Sequence, residues 1–379
     1  MRDLLPEEAR ERRTIARRLI DHFALHGYNV VTPPAFEFAE VLERGLGTLD
    51  AAEVLRFVEP ESGEVAALRP DMTPQIARMI ATRLHDRPPP LRLAYEGTVL
   101  RRRAGRARKE RQIPQVGVEL AGVEGPAGDL ELLAIAAGSA RAAGLDRFTI
   151  DLGDAGVVRA LLAGVAPESQ ARLWEALGRK DEGELAEACA QARPACTEAL
   201  LALPTLHGAR DALVEGVARL AATPARAAAE RLLALFDAAV ARGVGGAQLV
   251  ADLGEVRGFA YYTGPIFHVF APGTGAAVAS GGRYDELLAR FGAPMPAAGF
   301  AFDLDRLGEA LRAAGAVETG AMRVVVVGEP DDARVASLRA RGVAAVAVKD
   351  EAAARAYARA WGFTHVMVGE SLEAIGGER

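Results

Sequence analysis

Between Asp154 and Arg242 the chain is alanine-rich and helical in pattern, cut into short pieces by Pro167, Pro194, Pro204 and Pro224, with strand-forming sequence on both sides. Proline lacks the N–H that a helix interior needs, so each one marks the end or the beginning of a helix. Leucine periodicity persists through the stretch, which marks packed structure and not a low-complexity linker. The constraint is topological: whatever sheet the chain builds is interrupted by a helical insertion and then resumed.

Before the insertion, residues 7 to 26 predict a basic amphipathic helix and Tyr28 to Val31 a short strand stopped by Pro33-Pro34. Glu53 to Val58 and Val65 to Leu68 predict a hairpin about the turn Glu61-Ser62-Gly63-Glu64. Thr73-Pro74 predicts a helix start, with the threonine hydroxyl as cap and proline at the first helical position. Leu91 to Leu100 and Gln115 to Ala121 predict strands around a polar loop. After the insertion, Leu249, Ala251 and Leu253 alternate, Tyr261 to Phe270 is β-rich, and the turn at 272–275 leads into Ala276 to Ser280. The expected class is α+β, an antiparallel sheet with flanking helices. Beyond Gly320, the runs Arg323 to Val327, Ala344 to Val348 and His365 to Val368 alternate with helical stretches, which predicts a small α/β unit of βαβαβ order covered on both faces. Two domains are expected within 379 residues: 1–320, with the insertion at about 154–245, and 321–379.

Composition narrows function. A formal net charge of -6 argues against broad binding to nucleic acid or anionic membrane. No apolar run approaches the roughly 18 residues of a membrane span, and the N-terminus has no signal-like apolar stretch, so a cytoplasmic protein is expected. Cys189 and Cys196, seven apart in a helical-looking segment, are expected on one face as separate reduced thiols. His22 and His26 have the spacing of a metal pair, but no further ligands stand at zinc-motif spacing, so no metal is expected. Residues 101 to 111 carry seven basic side chains and one acidic one, a phosphate or acidic-partner contact on one reading and a solvated loop on the other.

Three separated motifs, Leu68-Arg69-Pro70-Asp71-Met72-Thr73, Arg257-Gly258-Phe259-Ala260-Tyr261-Tyr262 and Gly281-Gly282-Arg283-Tyr284-Asp285, resemble those of histidyl-tRNA synthetases in order and spacing. The resemblance implies a class II aminoacyl-tRNA synthetase-like fold and a histidine pocket made by Asp71, Thr73, Arg101, Gln115, Glu119, Arg257, Tyr261, Tyr262, Gly281 and Gly282. The chemistry agrees. An ammonium wants carboxylates and neutral acceptors, as Asp71, Thr73 and Gln115 offer, and a carboxylate wants a guanidinium, as Arg257 offers. An imidazole needs a partner at each ring nitrogen, and Glu119 with Tyr262 matches the family's pair. Glycines at 281 and 282 let strand backbone approach a ligand. Taken singly, each residue also has a plainer reading: Asp71 and Thr73 as helix caps, Tyr261 and Tyr262 as alternating core and surface, Arg257 as a turn charge.

The ATP-directed parts depart from the synthetase pattern. Leu100 and Arg103 replace a phenylalanine and a glutamate, Arg108-Lys109-Glu110-Arg111 replaces a glycine-bearing loop, and Ile113-Pro114 replaces phenylalanine-histidine. Ala260 stands for an aspartate, Asp303 for a small residue beside ATP, and Asp71 for a glutamate. Segment 322–379 is similar to the synthetase's anticodon-binding domain but stops at Arg379 without its usual closing elements. A kept pocket with altered ATP motifs resembles the histidyl-tRNA synthetase-like regulatory subunits of ATP phosphoribosyltransferase. That likeness implies no catalytic residues, no cofactor and no grip on tRNA. It implies histidine as effector, the short-form catalytic subunit as partner, and a homodimer within a hetero-oligomer, paired through Val30 to Pro34. The alternatives are a divergent synthetase using ATP, magnesium and tRNA, and a stand-alone histidine-binding module.

Overall fold

The computed structural model describes residues 3–46, 54–101, 112–244, 248–256, 261–316 and 321–375. The chain forms two compact units, one from Thr14–Ala316 and the other from the segment before Thr14 together with that after Ala316.

The first unit begins with α1 (Pro6–Leu25), whose first turns belong to the second unit, followed by β1 (Asn29–Val30), β2 (Phe36–Phe38) and α2 (Ala39–Leu46). Next come β3 (Leu55–Val58), β4 (Val65–Leu68), α3 (Thr73–Arg83), β5 (Leu91–Leu100), β6 (Gln112–Ala121), α4 (Ala127–Ala142) and β7 (Thr149–Asp154). The insertion is α5 (Ala155–Leu161), α6 (Pro167–Arg179), α7 (Glu182–Ala192), α8 (Thr197–Ala202), β8 (His207–Gly208), α9 (Arg210–Leu220) and α10 (Arg226–Ala241). The sheet resumes with β9 (Gln248–Asp252), β10 (Pro265–Phe270), β11 (Ala279–Arg283) and β12 (Ala297–Asp303), and α11 (Leu304–Ala313) follows. The prolines punctuate as expected: Pro167 opens α6, Pro194 lies between α7 and α8, and Pro224 precedes α10.

Among the described residues these strands make one sheet in the order β1-β5-β6-β12-β11-β10-β7-β9-β8. Every pair is antiparallel except β1 with β5 and β7 with β9. The insertion thus returns to the sheet through β8, which pairs with β9. Side-chain alternation divides the two faces. On β6, Val116, Val118 and Leu120 enter a core with Leu19 and Phe23 of α1, residues of α4, and the insertion. On the opposite face, Leu93 and Tyr95 of β5 pack with Leu42 of α2 and Ile76 and Ile80 of α3. A separate sheet, β2-β4-β3, lies with α2. Among the described residues no helix is long and apolar enough to cross a membrane.

Two expectations are corrected. Strand β10 starts at Pro265 and not at Tyr261, because both tyrosines turn inward and are buried where a strand would alternate them. Cys189 is in α7 and Cys196 caps α8, so the break at Pro194 places them on different helices; both thiols are free.

In the second unit β13 (Arg323–Val327), α12 (Ala333–Ala340), β14 (Ala344–Val348), α13 (Glu351–Ala360), β15 (His365–Val368) and β16 (Ser371–Ala374) form a sheet ordered β14-β13-β15-β16. The first three strands are parallel, and β16 adds an antiparallel edge that the sequence pattern had not indicated. Val324 and Val326 pack with Val335 and Leu338 on one face, and Val325 with Ala354, Ala358 and Phe363 on the other. This two-sided burial is why the strand is a continuous valine run. Asp332 and Asp350 start the helices by accepting from Arg334 N and Ala353 N at 2.9 and 2.8 Å.

Arg283, at the end of β11, is buried, and its Nε donates to Asp129 Oδ1 of α4 at 2.7 Å. Removing one partner of a buried pair leaves the other charge without compensation. Arg283→Met is expected to lower the stability of the first unit by about 3 to 5 kcal/mol. Urea unfolding of a Trp361→Phe background, in which Trp174 reports on that unit, measures the loss.

Candidate functional site

A cavity of about 340 Å³ lies in the first unit between the sheet and the segments around Asp71 and Tyr261. One end is walled by tyrosines. Tyr261, Tyr262 and Tyr284 have ring centroids 5.0, 5.5 and 6.3 Å apart, and Tyr95 of β5 joins them in lining the space. The other end meets Asp303 and Arg306 at the start of α11, with His268 and Ser280 on adjoining strands.

Asp71 sits between β4 and α3 and is buried. Its Oδ2 accepts from the Tyr261 hydroxyl at 2.6 Å and its Oδ1 from Met72 N at 2.8 Å. Burial raises its pKa, while the Arg101 guanidinium and these hydrogen bonds pull it back. Arg101 is held on the wall by donating from Nε to Pro70 O at 2.8 Å. Thr73 corrects an expectation: it does not cap α3, whose N-cap is Met72 without a side-chain bond. The Thr73 hydroxyl instead donates to Glu119 Oε1 at 2.6 Å, because a buried carboxylate needs donors more than a helix end does.

Glu119 does not line the cavity. It lies behind two residues that do, Thr73 and Tyr284, and the Tyr284 hydroxyl donates to its Oε2. A Cβ on Gly299 of the neighbouring strand would stand 2.0 Å from that Oε2, so only glycine admits the carboxylate here. Burial pushes the Glu119 carboxyl well above its ordinary pKa, and the nearby Asp71 adds to the shift. Burial likewise raises Tyr95 and Tyr261 well above the usual phenol range. Gln115 borders the cavity, and its buried Oε1 has no hydrogen-bond partner among the described residues.

Of the other expected residues, Tyr262 and Gly281 border the cavity and Gly282 does not. A Cβ on Gly281 would lie 2.3 Å from that of Phe300, and one on Gly282 2.7 Å from Ile266 Cγ2, so both positions are set by close strand packing. Arg257 and Ala260 lie outside the described residues, as does the basic loop after Arg101.

At the α11 end, Asp303 accepts from Asp305 N and Arg306 N at 3.1 and 3.2 Å, which caps the helix. Its Oδ2 is 3.3 Å from Arg306 Nε, and Arg306 Nη1 donates to Ala277 O at 3.1 Å. Away from the tyrosines, Asp151, Asp252 and Glu255 bring three carboxylates within 4.8 Å of one another, and Lys180 Nζ stands 2.5 Å from Asp252 Oδ2.

Sequence reasoning gave no role to Tyr284 or Tyr95. Tyr284 sat inside a quoted motif, so the signal was present. Tyr95 pairs across the sheet with Gly117, where its ring needs the room, and that becomes legible only once register is known.

The chain matches the family described as Histidyl-tRNA synthetase over residues 1–307. It is similar to an ATP phosphoribosyltransferase regulatory subunit from Anaeromyxobacter dehalogenans, with 45% identity over 82% of this chain and 90% of that one. A protein of the same description from Moorella thermoacetica is 40% identical over 94% of each chain. Among solved structures, an ATP phosphoribosyltransferase regulatory subunit/histidyl-tRNA synthetase from Bacillus halodurans superposes with a TM-score of 0.81 at 29% identity, covering 97% of this chain and 96% of that one. A histidyl-tRNA synthetase from Nostoc sp. PCC 7120, at TM-score 0.79, 21% identity, and 97% and 89% coverage, shares the fold.

The raised pKa of Glu119 has a stability consequence. As pH rises above the model-compound value of 4.5, the unfolded chain releases this proton before the folded one does, so ligand-free stability falls up to the folded pKa. Glu119→Gln cannot ionise and keeps a donor and an acceptor for the two hydroxyls. The ligand-free variant is expected to melt with wild type in acid and several degrees higher at mildly alkaline pH, as measured by thermal unfolding across pH.

Proposed function

The chain belongs to the histidyl-tRNA synthetase-like regulatory subunits of ATP phosphoribosyltransferase, and from that premise we propose that it controls its catalytic partner by binding histidine and performs no chemistry of its own. The observation that carries the reading is a contrast within one cavity. At the tyrosine end, acceptors for an ammonium group remain on Asp71, Thr73 and Gln115. Tyr262 lies beside them for the ring, with Glu119 behind, and Arg257 is the residue that the family likeness assigns to the carboxylate.

The α11 end opposes ATP. A like charge ~4 Å from a phosphate at an effective dielectric of ~20 costs up to ~4 kcal/mol, roughly a thousandfold in affinity. Asp303 stands there, and Arg306, which would otherwise meet a phosphate, is engaged by Asp303 and by Ala277 O. A second reading, a divergent histidyl-tRNA synthetase, draws on Arg101 and Arg306 both lining the cavity.

On the first reading the protein works in the cytoplasm, as a homodimer within a hetero-oligomer with the short-form catalytic subunit, which joins ATP to phosphoribosyl pyrophosphate. Histidine acts by binding one state of the assembly better than another. Mixing the chain with that catalytic subunit is expected to raise transferase activity and to make it inhibitable by histidine. In the mixture, Asp71→Asn is expected to raise the half-inhibitory histidine concentration by about tenfold or more, because a charge-assisted bond to the ammonium is lost. Transferase activity indifferent to the chain would contradict the proposal.

A further inference from the structure

Among the described residues, none of the helical insertion lines the cavity, yet the insertion holds the chain on both sides of Tyr261 and Tyr262, which do. Before the tyrosines, Trp174 of α6 donates from Nε1 to Val256 O at 3.1 Å, and Leu253 N donates to Leu206 O at 3.1 Å. Gly216 of α9 has no room for a Cβ against the Leu253 side chain, so that helix also packs directly on this stretch. After the tyrosines, Ala155 N, in the first turn of α5, donates to Gly264 O at 3.0 Å. The start of α5 is set in turn by the buried Asp154, which receives both Arg231 Nε and Nη2 of α10 at 2.9 Å.

We propose that Trp174 and Arg231 are positioning residues that couple the helical insertion to the ligand site, by holding the carbonyls of Val256 and Gly264 on either side of the two cavity tyrosines. The inference rests on reading the cavity as a histidine site, and it gives the insertion a part in binding although it makes no contact with the cavity.

A buried carbonyl needs a donor, and it stands where that donor stands. Helices α5, α6 and α10 therefore fix the backbone from which Tyr261 and Tyr262 extend. The sheet adds a further anchor after the tyrosines, where Thr263 N donates to Arg283 O at 2.8 Å and Asp285 N to Thr263 Oγ1 at 2.9 Å. A ligand that orders the tyrosines orders these backbone positions and, through them, the insertion. By reciprocity, whatever loosens the two ties lowers affinity for the ligand, and ligand binding is felt at the Trp174 indole.

The full chain carrying Trp361→Phe, in which Trp174 is the emitting indole, tests this with histidine as the probe. Histidine is expected to change Trp174 emission with a midpoint equal to the dissociation constant from calorimetry. Arg231→Met and Trp174→Phe are each expected to weaken histidine by about tenfold in calorimetric titration, and Arg231→Lys, which keeps the charge, by less than about threefold. Trp174→Phe keeps an aromatic ring and deletes the donor, so it decides the matter where Arg231→Met fails to fold. Leu233→Ala, which trims an apolar contact of α10 away from the pair, is expected to lower the melting temperature and leave histidine affinity within about twofold. Wild-type affinity in Trp174→Phe together with silent emission, or a loss in Leu233→Ala as large as in Arg231→Met, would overturn this inference and leave the effector reading standing. A chain with native Trp174 and Arg231 that binds no histidine would overturn both.

Discussion

Asp71 and Glu119 are carboxylates buried beneath one cavity, and much of the first unit is arranged around the free energy of placing them there. Neither has a full salt-bridge partner within the described residues; Arg101 moderates Asp71, and hydroxyls do the rest. Supplying those hydroxyls explains several local choices. Thr73 gives up capping α3, Tyr261 leaves the strand that its composition suggested, and the β12 position opposite Glu119 is a glycine.

The supporting charges lie one step further out. Arg283 precedes Tyr284 and is tied to Asp129 of α4, so the phenol that reaches Glu119 hangs from a buried ion pair. Asp154 ends β7, caps α5 by accepting from Gly156 N at 2.8 Å, and receives both Arg231 Nε and Nη2 of α10 at 2.9 Å. The first and last helices of the insertion are thereby fixed to the sheet beside the strands that frame the cavity. The same economy operates at Asp303, where one carboxylate caps α11 and engages Arg306. On the proposed reading, that pairing is what sets a cavity for an amino acid apart from one that also accepts a triphosphate.

Legibility followed physical range. Proline punctuation and the change from alternating to continuous apolar runs point to a helical insertion and a further α/β segment, because those signals are local, whereas the clustering of the residues before Thr14 with the C-terminal segment has no local signal. The site residues Asp71, Thr73, Gln115, Tyr261 and Tyr262 were named from motif order, and the structure brings them together around one cavity. What escaped was direction. Nothing local says that the Thr73 hydroxyl points to a strand 46 positions on, that Glu119 is reached only through other side chains, or that Tyr95 needs the space above Gly117. These depend on register between β5, β6 and β12, which alternation constrains but does not number.

On the proposed reading, the amino-acid half of an activation site is kept while the nucleotide half is closed. Histidine-dependent exchange of labelled pyrophosphate into ATP, with magnesium present, reads both halves at once, since exchange requires an aminoacyl adenylate. None above background is expected, at protein concentrations where a true histidyl-tRNA synthetase exchanges readily. Sustained exchange that requires histidine and is lost in Arg306→Ala would show that Asp303 leaves the nucleotide site open, and would contradict it.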